Sequence, residues 1–363
     1  MFEDLLTRWD GEHAVIRHDA ESGAWMFVCV HSTVLGPAGG GTRMRVYETP
    51  ADGLADAMRL SAAMTRKMAA VGVARGGGKA VLAVPELPAG ATRRRLLLRY
   101  GELVASLGGS FRTAGDMNIG PADLDVIAER CTPARREARG LLAGRGRLGR
   151  RRFQPWVYGT SGRGGNSGRG TARAVLHGIR ASVEHVFGSP DLAGRTVLVQ
   201  GCGSVGGELA RGLAAEGATV LVCDVDEERA RATGFAVVPA VDALETDCDV
   251  YAPCAVGGTL SAAAIARLRC RVVAGSANNQ LAEPDDALRL HERGILYAPD
   301  YVINAGGVVQ MLGLEEEGWD EQELERGLAG IGDTLRGLYA EAARDGVPPT
   351  EVADRLVAAR LAA

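Results

Sequence analysis

Apolar and polar residues between 14 and 34 are patterned enough to predict a pair of strands, 14–18 and the apolar run 24–30. From 53 to 69 the pattern changes. Leu54, Ala57, Met58, Leu60, Ala63 and Met64 recur at helical spacing, and Lys67 falls at the C-terminal end of that helix. The apolar run 80–84 predicts a strand, 93–107 a helix, and 110–114 a strand that ends in Gly115-Asp116-Met117-Asn118. Two glycine-rich stretches interrupt the pattern. Residues 36–43 predict a turn or ligand loop, because glycine lets a backbone come close to a small molecule, and Arg75-Gly76-Gly77-Gly78-Lys79 closes the segment before the strand at 80–84. In the second half, 171–187 is a strong helix. Short apolar runs at 197–199, 219–223, 250–251, 272–274 and 295–297 then alternate with helical segments. Strands that alternate with helices imply a parallel sheet. The tail from 321 to 363 is mostly helical, with an interruption at Gly346-Val347-Pro348-Pro349.

The run Val197-Leu198-Val199 leads into Gln200-Gly201-Cys202-Gly203-Ser204-Val205-Gly206-Gly207, and helical spacing resumes from there. Gly201, Gly203 and Gly206 form a GxGxxG turn. The first glycine makes the turn, the second admits a pyrophosphate to the backbone, and the third allows close helix–strand packing. Free N–H groups and the partial positive charge of the helix N-terminus suit phosphate. Ser204, Val205 and Gly207 complete this candidate cradle. The next apolar run ends in Asp224, near the spacing of about 20 residues expected for an acid that binds an adenosine ribose. A carboxylate there accepts from a ribose 2′-OH and repels a 2′-phosphate, so the pattern predicts NAD over NADP.

The 363 residues leave room for two domains. With 46% hydrophobic residues, 24% charged residues and a net charge of −4, the balance points to neither nucleic acid nor membrane as a partner. No apolar run reaches the ~20 residues of a membrane span, and the acidic start, residues 1–6, lacks a signal-peptide core. The seven cysteines form no CxxC pair and no Cys/His ligand spacing, which predicts no metal site and a reducing, cytoplasmic setting. Arg135, Arg136, Arg139, Arg145, Arg147, Arg150, Arg151 and Arg152 crowd a span with little apolar periodicity. No aromatics interleave with them, so the run reads as a solvated loop rather than a nucleic-acid patch. The glycine-rich stretch 162–168 reads as a joint, and a domain boundary falls near it.

Lys67, Lys79 and Asp116 are the candidate chemistry. One lysine in a cleft suits a carboxylate. A second one nearby, disfavoured by burial and like charge, suits proton transfer near neutral pH, with an aspartate to exchange protons. Six histidines sit in no glycine-rich or acidic motif, which argues against a 2-hydroxy-acid dehydrogenase with a histidine proton carrier.

Six strings carry a specific resemblance: 36–44 (Gly-Pro-Ala-Gly-Gly-Gly-Thr-Arg-Met), 64–69, Gly76-Gly77-Gly78-Lys79, Tyr251-Ala252-Pro253-Cys254-Ala255, 274–279 and 301–308. In this order they resemble the Glu/Leu/Phe/Val amino acid dehydrogenase family, across nearly the whole chain. The resemblance implies an α/β fold of two domains: a Rossmann dinucleotide-binding domain and an α/β substrate domain completed by C-terminal helices. The expected boundaries are 1–160 for the substrate domain, 161–320 for the NAD-binding domain, and 321–363 for helices returning to the substrate domain. The span 131–158 departs from the family's pattern.

The resemblance also implies roles. Lys67 is similar to the lysine that binds the substrate carboxylate, Lys79 to the lysine that activates water, and Asp116 to its proton-exchanging partner. Gly40 and Gly41 look like backbone that closes over the substrate, and Asn279 and Asn304 like amides near substrate and nicotinamide. Ser167 and Thr171 fall where hydroxyls meet the cofactor amide, and Pro253, Cys254 and Ala255 among the cofactor contacts. The reaction implied is NAD-dependent oxidative deamination of an L-amino acid to its 2-oxo acid and ammonia, by a homo-oligomer. Gly39 stands where leucine-type members carry a larger Leu, and Asp116-Met117-Asn118 and 329–335 resemble phenylalanine-type members. L-Phenylalanine is therefore the expected substrate, with leucine or valine, or a non-catalytic dinucleotide-binding sensor, as the alternatives.

Overall fold

The computed structural model describes residues 2–131, 156–161 and 167–363. The arginine run at 135–152 and most of the predicted joint, 162–166, lie outside the described residues. The chain forms two compact units. The first takes in the described residues up to 161 together with Met311–Gly318; the second takes in those from 167 to 310 together with Trp319–Ala363.

In the first unit, strands β1 (His13–Asp19), β2 (Ala24–Ser32), β3 (Ala38–Arg45), β4 (Gly76–Ala83) and β5 (Phe111–Gly115) make one sheet in the order β1-β2-β4-β3-β5. The pairs β1–β2 and β2–β4 are antiparallel; β4–β3 and β3–β5 are parallel. Helices α1 (Phe2–Trp9), α2 (Pro50–Ala70), α3 (Gly90–Ser106) and α4 (Pro121–Cys131) surround it. Thr49 and Asp52 cap α2 reciprocally, side chain to backbone amide, with Pro50 at the first helical position. The period of two sorts the core. Met26, Val28 and Val30 join Leu96, Tyr100, Leu103 and Ile127 of α3 and α4 on one face. Phe27 and Cys29 join Trp9, Leu54, Ala57 and Met58 on the other. With both faces covered, β4 is buried along its whole length.

One expectation fails here. Most of the glycine-rich stretch 36–43 is not a turn or loop but β3, an interior strand, and Gly76-Gly77-Gly78 opens β4. Glycine's weak strand preference points to a turn, yet here its missing side chain lets a helix lie on the strand. A Cβ on Gly77 would stand 2.1 Å from the Thr65 amide nitrogen of α2.

The second unit has six parallel strands: β6 (Thr196–Gln200), β7 (Thr219–Cys223), β8 (Ala236–Val237), β9 (Val250–Pro253), β10 (Val272–Val273) and β11 (Leu296–Tyr297), ordered β11-β10-β9-β6-β7-β8. Its helices are α5 (Ser167–Phe187), α6 (Gly206–Ala215), α7 (Glu227–Ala232), α8 (Ala262–Arg267), α9 (Asp286–Glu292), α10 (Asp300–Ile303), α11 (Gly306–Leu312, which runs on into the first unit), α12 (Glu321–Asp345) and α13 (Pro349–Ala362). The strand order reverses between β6 and β9, the doubly wound arrangement whose crevice at the carboxyl ends of the strands receives ligands.

The C-terminal helices depart from the expected boundaries. The apolar stripe of α12, including Leu328, Ile331 and Leu335, packs on α5, and α13 packs on α12. Gly178 of α5 leaves room for Leu335, and Tyr339 hydrogen-bonds Ser182 at 2.8 Å. Residues 321–363 therefore belong to the second unit, and only the short segment Met311–Gly318 returns to the first.

Candidate active site

The first unit brings Lys79 and Asp116 together. Lys79 lies on β4 and is 6% exposed; Asp116 follows the last residue of β5, and the Lys79 ammonium donates to its carboxylate. Burial lowers the lysine's proton affinity, Asp116 opposes that, and the net direction is downward. Burial would raise Asp116, but the Lys79 and Arg43 charges outweigh it and hold the carboxyl below its usual range. A buried, loosened ammonium on a carboxylate is suited to proton exchange.

Backbone crowding sets the position of this pair. The β3–β4 ladder runs through Ala38–Gly76 and Gly39–Gly77 and resumes at Thr42–Ala80, opposite the stretch that carries Lys79. A Cβ on Gly40 would stand 1.8 Å from the Gly78 carbonyl oxygen. Gly41 lies against Asp116, whose Cβ is 3.0 Å from where a Gly41 Cβ would be. Beyond Asp116 the chain is pinned to β3: Asn118, at φ 58°, donates to the Met44 carbonyl at 3.0 Å, and the Met44 amide donates to Met117. Lys67 sits in the last turn of α2, and its neighbour Met68 reaches the Gly39 position, where a Cβ would lie 3.3 Å from the Met68 Cε.

The second unit gathers the other predicted residues at the carboxyl ends of β6, β7, β9 and β10. The Gly201 amide donates to Cys223, and the Cys254 amide to Gln200, both at 2.7 Å. Gly201 turns at φ 97°, and Gly206 lies so close to the Gly201 carbonyl oxygen that a Cβ would be 1.9 Å away. Ala255 abuts Gly201, and the Cys254 Cβ would be 3.2 Å from a Gly206 Cβ. Asp224 accepts from the Cys202 amide at 2.7 Å and the Asp226 amide at 3.0 Å, with Arg229 at 3.4 Å. Burial would raise its carboxyl, but these donors hold it lowered and ionised. Ser204, Val205 and Gly207 follow the turn into α6, whose first residue has no side-chain cap.

Past β10, the Ala277 amide donates to Pro253 at 2.9 Å. Asn279, at φ 50°, donates its amide to the Asp300 carboxylate. Asn304 is 6% exposed; its Nδ2 donates to Ser276, Ala277 and Asn278, while its Oδ1 is buried without a hydrogen-bond partner. Thr171 donates to the Ser167 carbonyl at 3.0 Å, beside Gly307. This half fits a dinucleotide on three counts. No atom lies within 4 Å of a Cβ placed on Gly203, no side chain caps the α6 terminus, and Asn304 retains an unmet acceptor.

Sequence reasoning missed two features of the first unit. Arg43, seen only as part of a glycine string, stands with its Nε 3.3 Å from Asp116 and its Nη1 2.8 Å from Asp56. Glu316 of the returning segment, buried, accepts from Arg112 at 3.0 Å and from Arg75 and Tyr158. Neither partnership follows from spacing along the chain. Among the described residues no group of three His, Cys, Asp or Glu side chains could hold a metal ion, and no helix is long and apolar enough to cross a membrane.

Comparison with known proteins places these features in context. Residues 16–132 match the family model described as Glu/Leu/Phe/Val dehydrogenase, dimerisation domain, and 222–358 match the Glutamate/Leucine/Phenylalanine/Valine dehydrogenase model. A valine dehydrogenase of Streptomyces albus is 40% identical over 361 residues, covering 97% of this chain and 92% of its own. A leucine dehydrogenase of Thermoactinomyces intermedius is 36% identical over 362 residues, covering 99% and 93%. The crystal structure of L-tryptophan dehydrogenase from Nostoc punctiforme superposes with a TM-score of 0.79 at 34% identity, covering 99% of this chain and 98% of that one.

Proposed function

Because the chain belongs to the Glu/Leu/Phe/Val amino acid dehydrogenase family, we propose that it carries out the reversible, NAD-dependent oxidative deamination of a branched-chain aliphatic L-amino acid, valine or leucine, to the 2-oxo acid and ammonia. The observation that carries the chemistry is the contact between buried Lys79 and Asp116. Lys67 binds the substrate α-carboxylate. Once the α-hydrogen has left as hydride and the substrate is an iminium, Lys79, deprotonated, takes a proton from the water that adds to the iminium carbon. Asp116 exchanges protons with the substrate nitrogen as it leaves as ammonia. A dinucleotide would supply the hydride acceptor; the Gly201–Gly206 turn would hold its pyrophosphate, Asp224 its adenosine ribose and Asn304 Oδ1 an amide, with Thr171 and Asn279 as further contacts.

The Asp224 carboxylate, ionised and buried beside the turn, favours the ribose 2′-OH over a 2′-phosphate and supports NAD. Phenylalanine, expected from the Gly39 and Asp116-Met117-Asn118 strings, gives way to valine and leucine because the 40% and 36% identical relatives are a valine and a leucine dehydrogenase. An aromatic substrate stays as the second reading, favoured by the 34% identical tryptophan dehydrogenase. A sensor that binds dinucleotide without turnover has no use for the Lys79–Asp116 pair. Assembly as a homo-oligomer accords with the match to a dimerisation domain over 16–132.

Steady-state kcat/KM across Val, Leu, Ile, Phe, Trp and Glu, with NAD and with NADP, tests the reading. A hydrophobic pocket separates neighbouring side chains by about 1–3 kcal/mol per methylene, so Val, Leu and Ile should rank together and above the rest. A best value for Phe or Trp overturns the aliphatic assignment, and cofactor binding with no turnover of any amino acid overturns the enzyme.

A further inference from the structure

Lys79 and Asp116 do not stand alone. Arg43 extends from β3 with its Nε 3.3 Å from Asp116 Oδ2, the oxygen that also takes the Lys79 proton. Its Nη1 lies 2.8 Å from Asp56 of α2, and Asp56 in turn accepts from the Tyr47 hydroxyl at 2.8 Å and from Arg59 at 2.7 Å. The chain of charge therefore runs Lys79, Asp116, Arg43, Asp56, Arg59, alternating in sign. Arg43 and Asp56 are both largely buried, at 16% and 13% side-chain exposure. The Arg43 Nε is fully removed from solvent and has an ionic contact with Asp116 but no hydrogen-bond partner.

We propose that Arg43 is a positioning residue for the Lys79–Asp116 pair: anchored by Asp56, it fixes the Asp116 carboxylate and sets a permanent positive charge beside the lysine, so that the lysine releases its proton readily. This rests on the reading that Lys79 and Asp116 perform the chemistry. Three features support it. A guanidinium stays charged at every working pH and can bridge two carboxylates with separate nitrogens, which an ammonium cannot do with the same geometry. Burial leaves little water to screen the pair. The spare Nε–H gives Asp116 a second donor to turn to when Lys79 is neutral, so the carboxylate is not left uncompensated in mid-reaction.

The groups facing Lys79 can be named. Asp116 stands at the end of β5, Arg43 on β3 and Asp56 on α2, which also carries Lys67. Cys29 is its register partner on β2. Burial pushes the Cys29 thiol up to about 12, so it contributes no charge. Arg43 weakens the lysine's hold on its proton and Asp56 strengthens it, with opposite signs.

The test is the pH profile of kcat/KM for oxidative deamination, measured on the full chain with the best substrate from the panel. Substrate ionisation is common to every variant and cancels in the comparison. In Arg43→Gln the acid limb moves to higher pH, and activity falls about tenfold at pH 7 but recovers at alkaline pH. Asp56→Asn moves the same limb to lower pH. Arg43→Lys leaves the limb near the wild-type position but lowers kcat, because the charge survives and the bridge does not. A merely structural role lowers kcat in Arg43→Gln and Asp56→Asn without moving the limb, and that result overturns the proposal. If Arg43→Gln fails to fold, the Asp56→Asn and Arg43→Lys pair carries the same comparison. Lys79→Gln separates the two levels of argument. If it abolishes turnover while the limb stays put in the other variants, the positioning role fails and the catalytic reading stands. If it turns over normally, the catalytic reading itself fails.

Discussion

Replacing Glu316 by Gln removes a carboxylate that bridges two buried guanidiniums. Glu316 and Arg112 are each 5% exposed and Arg75 9%, and the carboxylate accepts from both arginines and from Tyr158. A neutral amide keeps the shape but leaves two positive charges facing each other out of water. Burial and repulsion from Arg112 already push the Arg75 guanidinium down to about 10. Breaking a buried ion pair by removing one partner costs about 3–5 kcal/mol, far more than the ~0–1 kcal/mol of a surface pair. For a unit of this size about 1 kcal/mol lowers Tm by roughly 2–4 °C, so E316Q should melt about 6–20 °C below the wild type in a calorimetric scan. The companion variant Arg75→Met/Arg112→Met/Glu316→Leu, which removes every charge, should recover most of that loss. An E316Q transition within 2 °C of wild type, or a triple variant no better than E316Q, refutes the claim that stranded charge is the cause.

Two further outcomes concern the dinucleotide half. Asp224→Ser removes the acceptor proposed for the ribose; a hydrogen bond to a charged group contributes about 1.5–3 kcal/mol, so the ratio of kcat/KM for NAD over NADP should fall at least tenfold, and an unchanged ratio rejects the role. Gly203→Ala adds a methyl group that meets no protein atom within 4 Å; its Tm should match the wild type while the KM for NAD rises about tenfold or more, as expected where a pyrophosphate needs the bare backbone, whereas an unaltered KM places the phosphates elsewhere.

Much of this architecture is written in local pattern. The apolar run 24–30 marks β2, the helical spacing of Leu54, Ala57 and Met58 marks α2, and the strand–turn–helix at 196–215 marks the dinucleotide unit. These features are legible because each depends on residues a few positions apart. The glycines of β3 mislead for a physical reason: their strand role comes from the crowding of Gly40 on the Gly78 carbonyl, a contact made across the sheet. The C-terminal helices mislead because amphipathic periodicity says that a face is buried, not against which neighbour. α12 finds Gly178 and Ser182 of α5, more than a hundred residues earlier. Arg43–Asp56 and Glu316–Arg75 are long side-chain bridges, and nothing in composition or spacing pairs such residues.

The returning segment also sets an order of assembly. Glu316 follows Tyr158 by 158 residues, Arg112 by 204 and Arg75 by 241. At synthesis rates of about 5–20 residues per second, the ribosome delivers Glu316 roughly 10–40 s after Arg112. Throughout that interval the Arg75 and Arg112 guanidiniums await the carboxylate that joins them in the folded unit. The segment that completes the first unit is therefore delivered well after the strands it joins.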